Sequence, residues 1–417
     1  MNLFWMVFKT VILNFFGLAG GGGSSSGGGG GGGSSSSSSS HSSSSSSSSG
    51  SSGGGSFIGT LFGIAIYALF ILIIIKSRKA TPSNRGEYII DHNKTEQSKK
   101  VHELAEQTFY NYQKDWSEFN IENIKNYTTE SYFEHAKLML EALRNAGRKN
   151  VVSSVKVITT SLDKEILDET TVPVDCRVKV TFSANDEVVE AKTGKSLFSK
   201  DYHGINETWN FVYDNGNLKL SGISQPTESS EHLYQNMAKF AHENGLFYSP
   251  DWGRYCLPDK GLIFDPTSLY TADVNNHIIG KWGEVLVQLY TYAPVPGKTP
   301  SSYYVVGQLN VPKEYLGIIV KYKKFRAKKP NDYEKFELEW NDFNNRYEVF
   351  ASSKDALPAF ELLEPKFMAD LYDRNLNYNI EVIGNAIYIF APVNQAKEED
   401  YRELFDVLVE AYKRLKK

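Results

Sequence analysis

The densest group of side chains that could bind a charged ligand lies in residues 321–329, which read KYKKFRAKK. Its basic members are Lys321, Lys323, Lys324, Arg326, Lys328 and Lys329. Two aromatic residues lie between them, so the segment offers both charge and a stacking surface to an anionic partner. The alternative is an edge strand and turn, whose lysines prevent pairing with another strand and face an acidic run at residues 332–339. The sequence leaves both interpretations open.

The overall charge indicates which anion this segment would bind. The chain has 45 Lys plus Arg against 49 Asp plus Glu, a formal net charge of −4. A protein whose main partner is nucleic acid usually carries a basic surface, and this composition does not provide one. We therefore expect no nucleic acid partner and favour anionic lipid.

A polar pocket that contains a histidine is a second place where chemistry could occur. Residues 201–203 read Asp-Tyr-His at the start of a predicted strand, and a further histidine lies on a predicted helix. A His–Asp or Tyr–Asp pair inside a pocket can transfer protons. The residues that would line it are Trp116, His135, His203 and Trp209. The same polar groups can equally cap a strand end at the surface, and buried tryptophans more often belong to a core. We predict no catalytic residue.

Motifs for metals and phosphate cofactors are incomplete. Residues 193–196 read TGKS, like the end of a phosphate loop, but Val189 stands where that loop needs glycine. Residues 102–106 read HELAE, with Glu106 where a zinc-binding helix needs its second histidine. Cys176 and Cys256 are the only cysteines, too few for a thiolate metal site. We predict no metal and no cofactor.

The N-terminal part is typical of a membrane protein. Residues 57–75 contain no charge and, as a helix, would span roughly 28 Å, close to the hydrocarbon thickness of a bilayer. Lys76, Arg78 and Lys79 follow directly and would stop the span at the inner lipid surface. By the positive-inside rule, the rest of the chain is cytoplasmic. The predicted location is the cell membrane, with one or two passes.

Two segments precede this span. Residues 1–19 are either a signal peptide or an uncleaved first helix, and both interpretations leave the following segment outside the cell. Residues 20–56 are Gly or Ser apart from His41, a composition that predicts a disordered spacer. Residues 76–97 form a basic juxtamembrane linker.

The sequence pattern of the remaining chain predicts two α+β domains, at residues 98–227 and 228–417. In the first, apolar residues recur at helical spacing from Val101 to Phe119. A second helical region ends near Gly147 and is broken near residues 127–129, where a threonine can cap the next helix. Strand patterns follow at residues 151–160, 172–182, 187–192, 202–213 and 218–223, with Asp-Asn-Gly-Asn at 214–217 as a hairpin turn. Helices followed by an antiparallel meander predict that the helices cover one face of the sheet. In the second, we expect a short helix first, a helix over 357–375 and an amphipathic helix over 397–415. Its predicted strands are at residues 285–292, 303–309, 317–325, 335–340, 347–351, 380–382 and 386–390.

Two segments of the first domain resemble the Tim44-like domain family. They are FYNYQKDWSEFNIENIKNYTTESYFEH, residues 109–135, and YHGINETWNFVYDNGNLKLSGISQ, residues 202–225. The resemblance implies the cone-shaped fold of the nuclear transport factor group, membrane association and a tethering role. The mitochondrial namesake holds a chaperone motor beside a translocase. This chain has its own predicted anchor and no recognisable chaperone-binding segment, so the motor role is not implied.

The second domain resembles, more weakly, an uncharacterised bacterial domain family without established activity. The matching pieces are FELEW, LLEPKFM and NAIYIFAP, at residues 336–340, 362–368 and 385–392. Together, these features predict a bacterial, membrane-anchored, non-enzymatic scaffold that binds a protein partner, anionic lipid or both. The family resemblance alone implies a link to protein translocation. The alternative function is a small-molecule-binding or catalytic pocket in the cone.

Overall fold

The computed structural model describes residues 95–167, 172–224, 232–250, 252–294, 303–327, 331–375, 377–392 and 398–416. The predicted membrane span, its basic stop residues and the Gly/Ser segment lie outside them. Among the described residues, no helix is both long and apolar enough to cross a bilayer. The described part is α+β and its sheets are antiparallel, as the sequence predicts.

Three helices precede the first sheet: α1 (Glu96–Glu118), α2 (Ile121–Asn126) and α3 (Glu130–Asn145). The side chain of Thr95 accepts a hydrogen bond from the Ser98 amide and caps α1, and Phe119 ends it with φ +56°. Thr129 caps α3 in the same way through the Tyr132 amide, where the sequence predicts a break between helices.

The first sheet is formed by β1 (Arg148–Leu162), β2 (Val174–Glu190), β3 (Ser196–Asp214) and β4 (Asn217–Ser224), in that order. Asn215 and Gly216 have φ of 48° and 83°, so the last two strands are joined by the tight turn that Asn-Gly predicts. The helices pack on one face, where the ring of Phe109 lies 4.7 Å from that of Phe182 and 4.9 Å from that of Trp209.

The prediction of separate strands at residues 172–182 and 187–192 is wrong, because β2 runs unbroken through residues 183–186. The sequence Ser-Ala-Asn-Asp at these positions has low strand propensity. It remains in the sheet because Asn185 and Asp186 pair with Asp201 and Lys200 of β3. A register shift between Phe182 and Ala184 absorbs the irregularity.

The second sheet has seven strands in the described residues. They are β5 (Phe247–Ser249), β6 (Asp273–Trp282), β7 (Val285–Ala293), β8 (Tyr304–Tyr322), β9 (Tyr333–Phe336), β10 (Tyr347–Ser352) and β11 (Asn379–Pro392). Their order is β5-β6-β7-β8-β10-β9, and β11 pairs with the other side of β8. Two strand pairs predicted as separate, at 303–309 with 317–325 and at 380–382 with 386–390, are single long strands.

The prediction missed β6. Its sequence, DVNNHIIGKW, contains Asn275, Asn276 and His277, which break the apolar pattern of a buried strand. In the structure these three side chains are buried and hydrogen-bonded: Asn276 donates to Thr291 and His277 to Gln288 of β7. Polar partners on the neighbouring strand therefore replace the apolar contacts that a sequence pattern can recognise.

The described helices of this part are α4 (His232–Glu243), α5 (Ser268–Thr271), α6 (Asn341–Arg346), α7 (Ala356–Leu362), α8 (Pro365–Asp373) and α9 (Glu398–Leu415). The helix predicted over 357–375 is two helices, because Pro365 cannot donate the hydrogen bond that would continue α7 and instead begins α8. The amphipathic helix α9 lies on β8, where Gly307 leaves room for Leu404: a Cβ at Gly307 would lie 1.9 Å from Leu404 Cδ2.

The hydrophobic core of the first sheet includes side chains from the later part of the chain. Trp252, Tyr255, Cys256 and Leu269 belong to it, together with residues of β6 and β7. All described residues form one compact unit. Independent folding of residues 98–227 and 228–417 stays a prediction.

Candidate functional site

The two tryptophans predicted to line a pocket are fully buried core residues. Trp116 Nε1 donates to Asn150 Oδ1 at 2.9 Å, and Trp209 Nε1 donates to Glu207 Oε2 at 2.9 Å. The ring of Tyr112 contacts both indoles, with centroids 5.8 and 5.5 Å away. Both indole donors are therefore satisfied within the protein, and the rings pack against neighbouring aromatic side chains.

The two histidines of the predicted pocket do not meet. His203 is exposed on β3, on the opposite side of the strand from the buried Tyr202, so its role in a pocket stays a prediction. His135 lies on α3 and its ring stacks on Phe247 at 4.9 Å. Its Nε2 is buried and has no hydrogen-bond partner among the described residues, and burial lowers the pKa of His135 to about 4. Within the described residues, His135 and His203 have different surroundings, one in the interior and one at the surface.

The interior of the first sheet contains a different polar group, which the sequence interpretation missed. Asp186 is fully buried, and its Oδ1 accepts a hydrogen bond from Asn150 Nδ2 at 2.5 Å. Its Oδ2 accepts from the hydroxyl of Tyr255, which enters from the second half of the chain. Burial raises the pKa of Asp186 to about 6. Asp186 is therefore held by donors from two distant parts of the chain.

A signal for Asp186 was present in the sequence. The side chains that β2 buries are Cys176, Val178, Val180, Phe182, Ala184, Asp186 and Val188, every second residue. A carboxylate in phase with apolar side chains indicates a buried acid that needs internal donors.

The basic segment is not an edge strand. Lys321 lies on β8, a central strand, and its Nζ is 2.8 Å from Glu348 of β10. The Lys321 side chain is only 12% exposed, so it does not belong to an anion-binding surface, contrary to the prediction. Its hydrogen bond to Glu348 lowers the pKa of that carboxyl. The interaction is an ion pair across neighbouring strands.

The basic turn, defined here as residues 323–326, follows β8 and is exposed at its three cations: Lys323, Lys324 and Arg326. Within the residues that the structure describes, none of the three makes an ion pair. The turn is held by the Lys323 amide, which donates to the Arg346 carbonyl at 3.0 Å. It is also held by Phe325, whose ring lies 5.2 Å from Phe390. Lys328 and Lys329 lie outside the described residues, as do Lys76, Arg78 and Lys79.

Metal ligands and reactive thiols do not add to this site. The described residues contain no group of three or more His, Cys, Asp or Glu side chains that could hold a metal ion. Cys176 and Cys256 are free and buried, and burial raises the pKa of each thiol to about 12. A thiol in this state is a poor nucleophile at neutral pH.

Comparisons with known proteins give only weak similarity. No family model matches the chain, so the Tim44-like resemblance stays a prediction. No curated protein matches it either. The crystal structure of the mycobacterial trehalose monomycolate transport factor A, TtfA, is 12% identical over 44% of this chain and 94% of its own, with a TM-score of 0.35. The intermembrane space region of the chloroplast protein ARC6 is 12% identical over 30% of this chain and 94% of its own, with a TM-score of 0.23. These scores are too low to support an argument about function.

Proposed function

We propose that this protein is a membrane-anchored, non-enzymatic tether whose globular part contacts anionic lipid through the basic turn. The observation that carries the proposal is the exposure of Lys323, Lys324 and Arg326 on a turn whose backbone is hydrogen-bonded to a neighbouring segment. Among the described residues, no carboxylate forms an ion pair with these three side chains. Each basic residue held near an anionic surface contributes about 1 kcal/mol. Three of them would give a weak, salt-sensitive contact.

The predicted anchor makes such a weak contact effective. If residues 57–75 span the bilayer, the globular part stays close to one lipid surface, and binding to lipid becomes an intramolecular step. The geometry favours lipid over nucleic acid, because Phe325 packs against Phe390 and Tyr304 and is not free to stack on bases. A protein partner bound on the same tether remains part of the proposal.

The proposal predicts that reversing the charge of the basic turn separates the globular part from an anionic membrane. The full chain, with a donor dye at its C-terminus, is placed in nanodiscs that contain acceptor-labelled lipid. In wild type, energy transfer should rise when phosphatidylglycerol replaces part of the phosphatidylcholine, and fall again with added salt. K323E/K324E/R326E should abolish most of that rise.

The matched control is K156E/R177E/K179E, which makes the same change in charge at three exposed positions of the first sheet. This variant should retain most of the increase in energy transfer. Equal energy transfer in the triple turn variant and wild type would remove the basic turn from the proposed contact.

A further inference from the structure

A small cleft with a buried cation opens beside the start of β1. Its volume is about 100 Å³, and its lining includes Arg148, Asp259, Lys260, Gln308, Asn310 and Asn385. It is distinct from the basic turn, and it adjoins the polar group around Asp186 through Tyr255, whose carbonyl accepts a hydrogen bond from Arg148.

The guanidinium of Arg148 donates to a backbone carbonyl through one nitrogen and to an exposed carboxylate through the other. Its side chain is 6% exposed, and Nη1 donates to the Tyr255 carbonyl at 2.8 Å. Nη2 donates to the carboxylate of Asp259, a residue whose own side chain is 62% exposed. A buried charge requires a partner, but a carboxylate so open to water gains little from the pairing. A bound anion could therefore replace it.

The remaining polar groups of the cleft are fixed or cationic. The Gln308 amide is fixed at both ends, since its Nε2 donates to the Cys256 carbonyl at 2.7 Å and its Oε1 accepts from Tyr290. Asn310 Nδ2 donates to Asn385 Oδ1 at 3.2 Å. Lys260 makes no ion pair within the described part of the chain. The two cations of the lining thus exceed its one carboxylate, which favours an anionic ligand.

The volume limits the size of that ligand. With a volume of about 100 Å³, the cleft has room for several water molecules or for one small ion such as acetate or phosphate. A planar guanidinium offers two parallel N–H donors, which match two oxygens of a carboxylate or phosphate.

We propose that this cleft binds a small oxyanion, which takes the place of the Asp259 carboxylate on the Arg148 guanidinium. Lys260 adds attraction at the rim, and the fixed amides of Gln308 and Asn310 form the walls. The carboxylate of Asp259 acts as an internal competitor for the same donors.

The test uses the full chain in detergent micelles, titrated with sodium phosphate or sodium acetate by calorimetry, with sodium chloride at matched ionic strength and pH as reference. Asp259→Asn removes the competing carboxylate and leaves the Arg148 guanidinium intact. This variant should bind the oxyanion about tenfold more tightly than wild type, because the anion no longer has to displace a charge-assisted hydrogen bond. Adding Lys260→Gln to this variant should weaken binding severalfold. Asp332→Asn, the same charge change at an exposed aspartate, should behave as wild type.

Tighter binding of acetate alone would assign the site to carboxylates, and tighter binding of phosphate alone would assign it to phosphates; both outcomes support the inference. It is overturned if Asp259→Asn binds neither anion more tightly than wild type does. It is also overturned if Asp332→Asn gains as much as Asp259→Asn, because the effect would then be one of net charge.

Discussion

Replacing Tyr255 by alanine should destabilise both sheets, by about 3–5 kcal/mol of the free energy of unfolding, because the substitution removes a fully buried ring and leaves a cavity. The ring is 2% exposed and belongs to the core of the first sheet, 6.0 Å from the ring of Phe198. The substitution also removes a hydrogen bond from the buried carboxyl of Asp186. Native-state hydrogen exchange of the full chain in micelles should show lower protection in β2 and in β6 together.

Two variants separate the ring from its hydroxyl and from its surroundings. Tyr255→Phe keeps the ring and should cost only about 1–2 kcal/mol, because Asp186 retains its bond from Asn150. Tyr270→Ala removes a tyrosine whose ring also lies 5.0 Å from that of Phe198 but is 46% exposed. It should therefore lower the free energy of unfolding by less than Tyr255→Ala or Tyr255→Phe does. Loss of protection confined to β2 in Tyr255→Ala would instead indicate that the two predicted domains unfold independently.

Local patterns allowed much of the fold to be predicted. The apolar spacing of α1, the Thr129 cap and the Asn-Gly turn each depend on residues close in sequence, and each is found where expected. The errors arise where distant residues decide the structure. β6 contains Asn and His side chains that become compatible with a buried strand only through donors and acceptors on β7. No local pattern contains that information.

The candidate site was harder to predict for the same reason. The cations at 321–329 are adjacent in sequence, but the partner of Lys321 is Glu348, which a hairpin-like pairing of β8 and β10 brings to it. Tyr255 lies in a Pro- and Gly-rich stretch that resembles a loop, and it meets Asp186 across 69 residues. A sequence can show that Asp186 needs a donor, but not which tyrosine supplies it.

The fully buried His277 should make the protein less stable in acid. Burial lowers the pKa of His277 from 6.5 to about 3, and its Nδ1 has no hydrogen-bond partner among the described residues. Between these two pH values the unfolded chain binds a proton that the native state does not, so the free energy of unfolding falls as the pH falls. From about pH 7.5 to about pH 4.5, this position alone should cost about 2–3 kcal/mol.

Measurements on wild type alone do not isolate this effect, because two buried carboxyls titrate in the same pH range. Burial raises the pKa of Asp186 to about 6 and that of Glu381 to about 7. As the pH falls through these values, the native state takes up protons that the unfolded chain does not, so both carboxyls raise the free energy of unfolding. His277→Gln retains a donor for Gln288 Oε1, 3.0 Å away, and does not titrate. Urea unfolding of the full chain in micelles should therefore give His277→Gln a gain over wild type that grows by about 2–3 kcal/mol between the same two pH values. The control is His277-independent: for His242→Gln, at an exposed histidine, the difference in free energy of unfolding from wild type should not grow as the pH falls.

The prediction is contradicted if the difference in free energy of unfolding between His277→Gln and wild type stays constant with pH. His277 would then accept its proton in the native state. The packing of Trp252 on its ring, with centroids 4.5 Å apart, would have to open in acid.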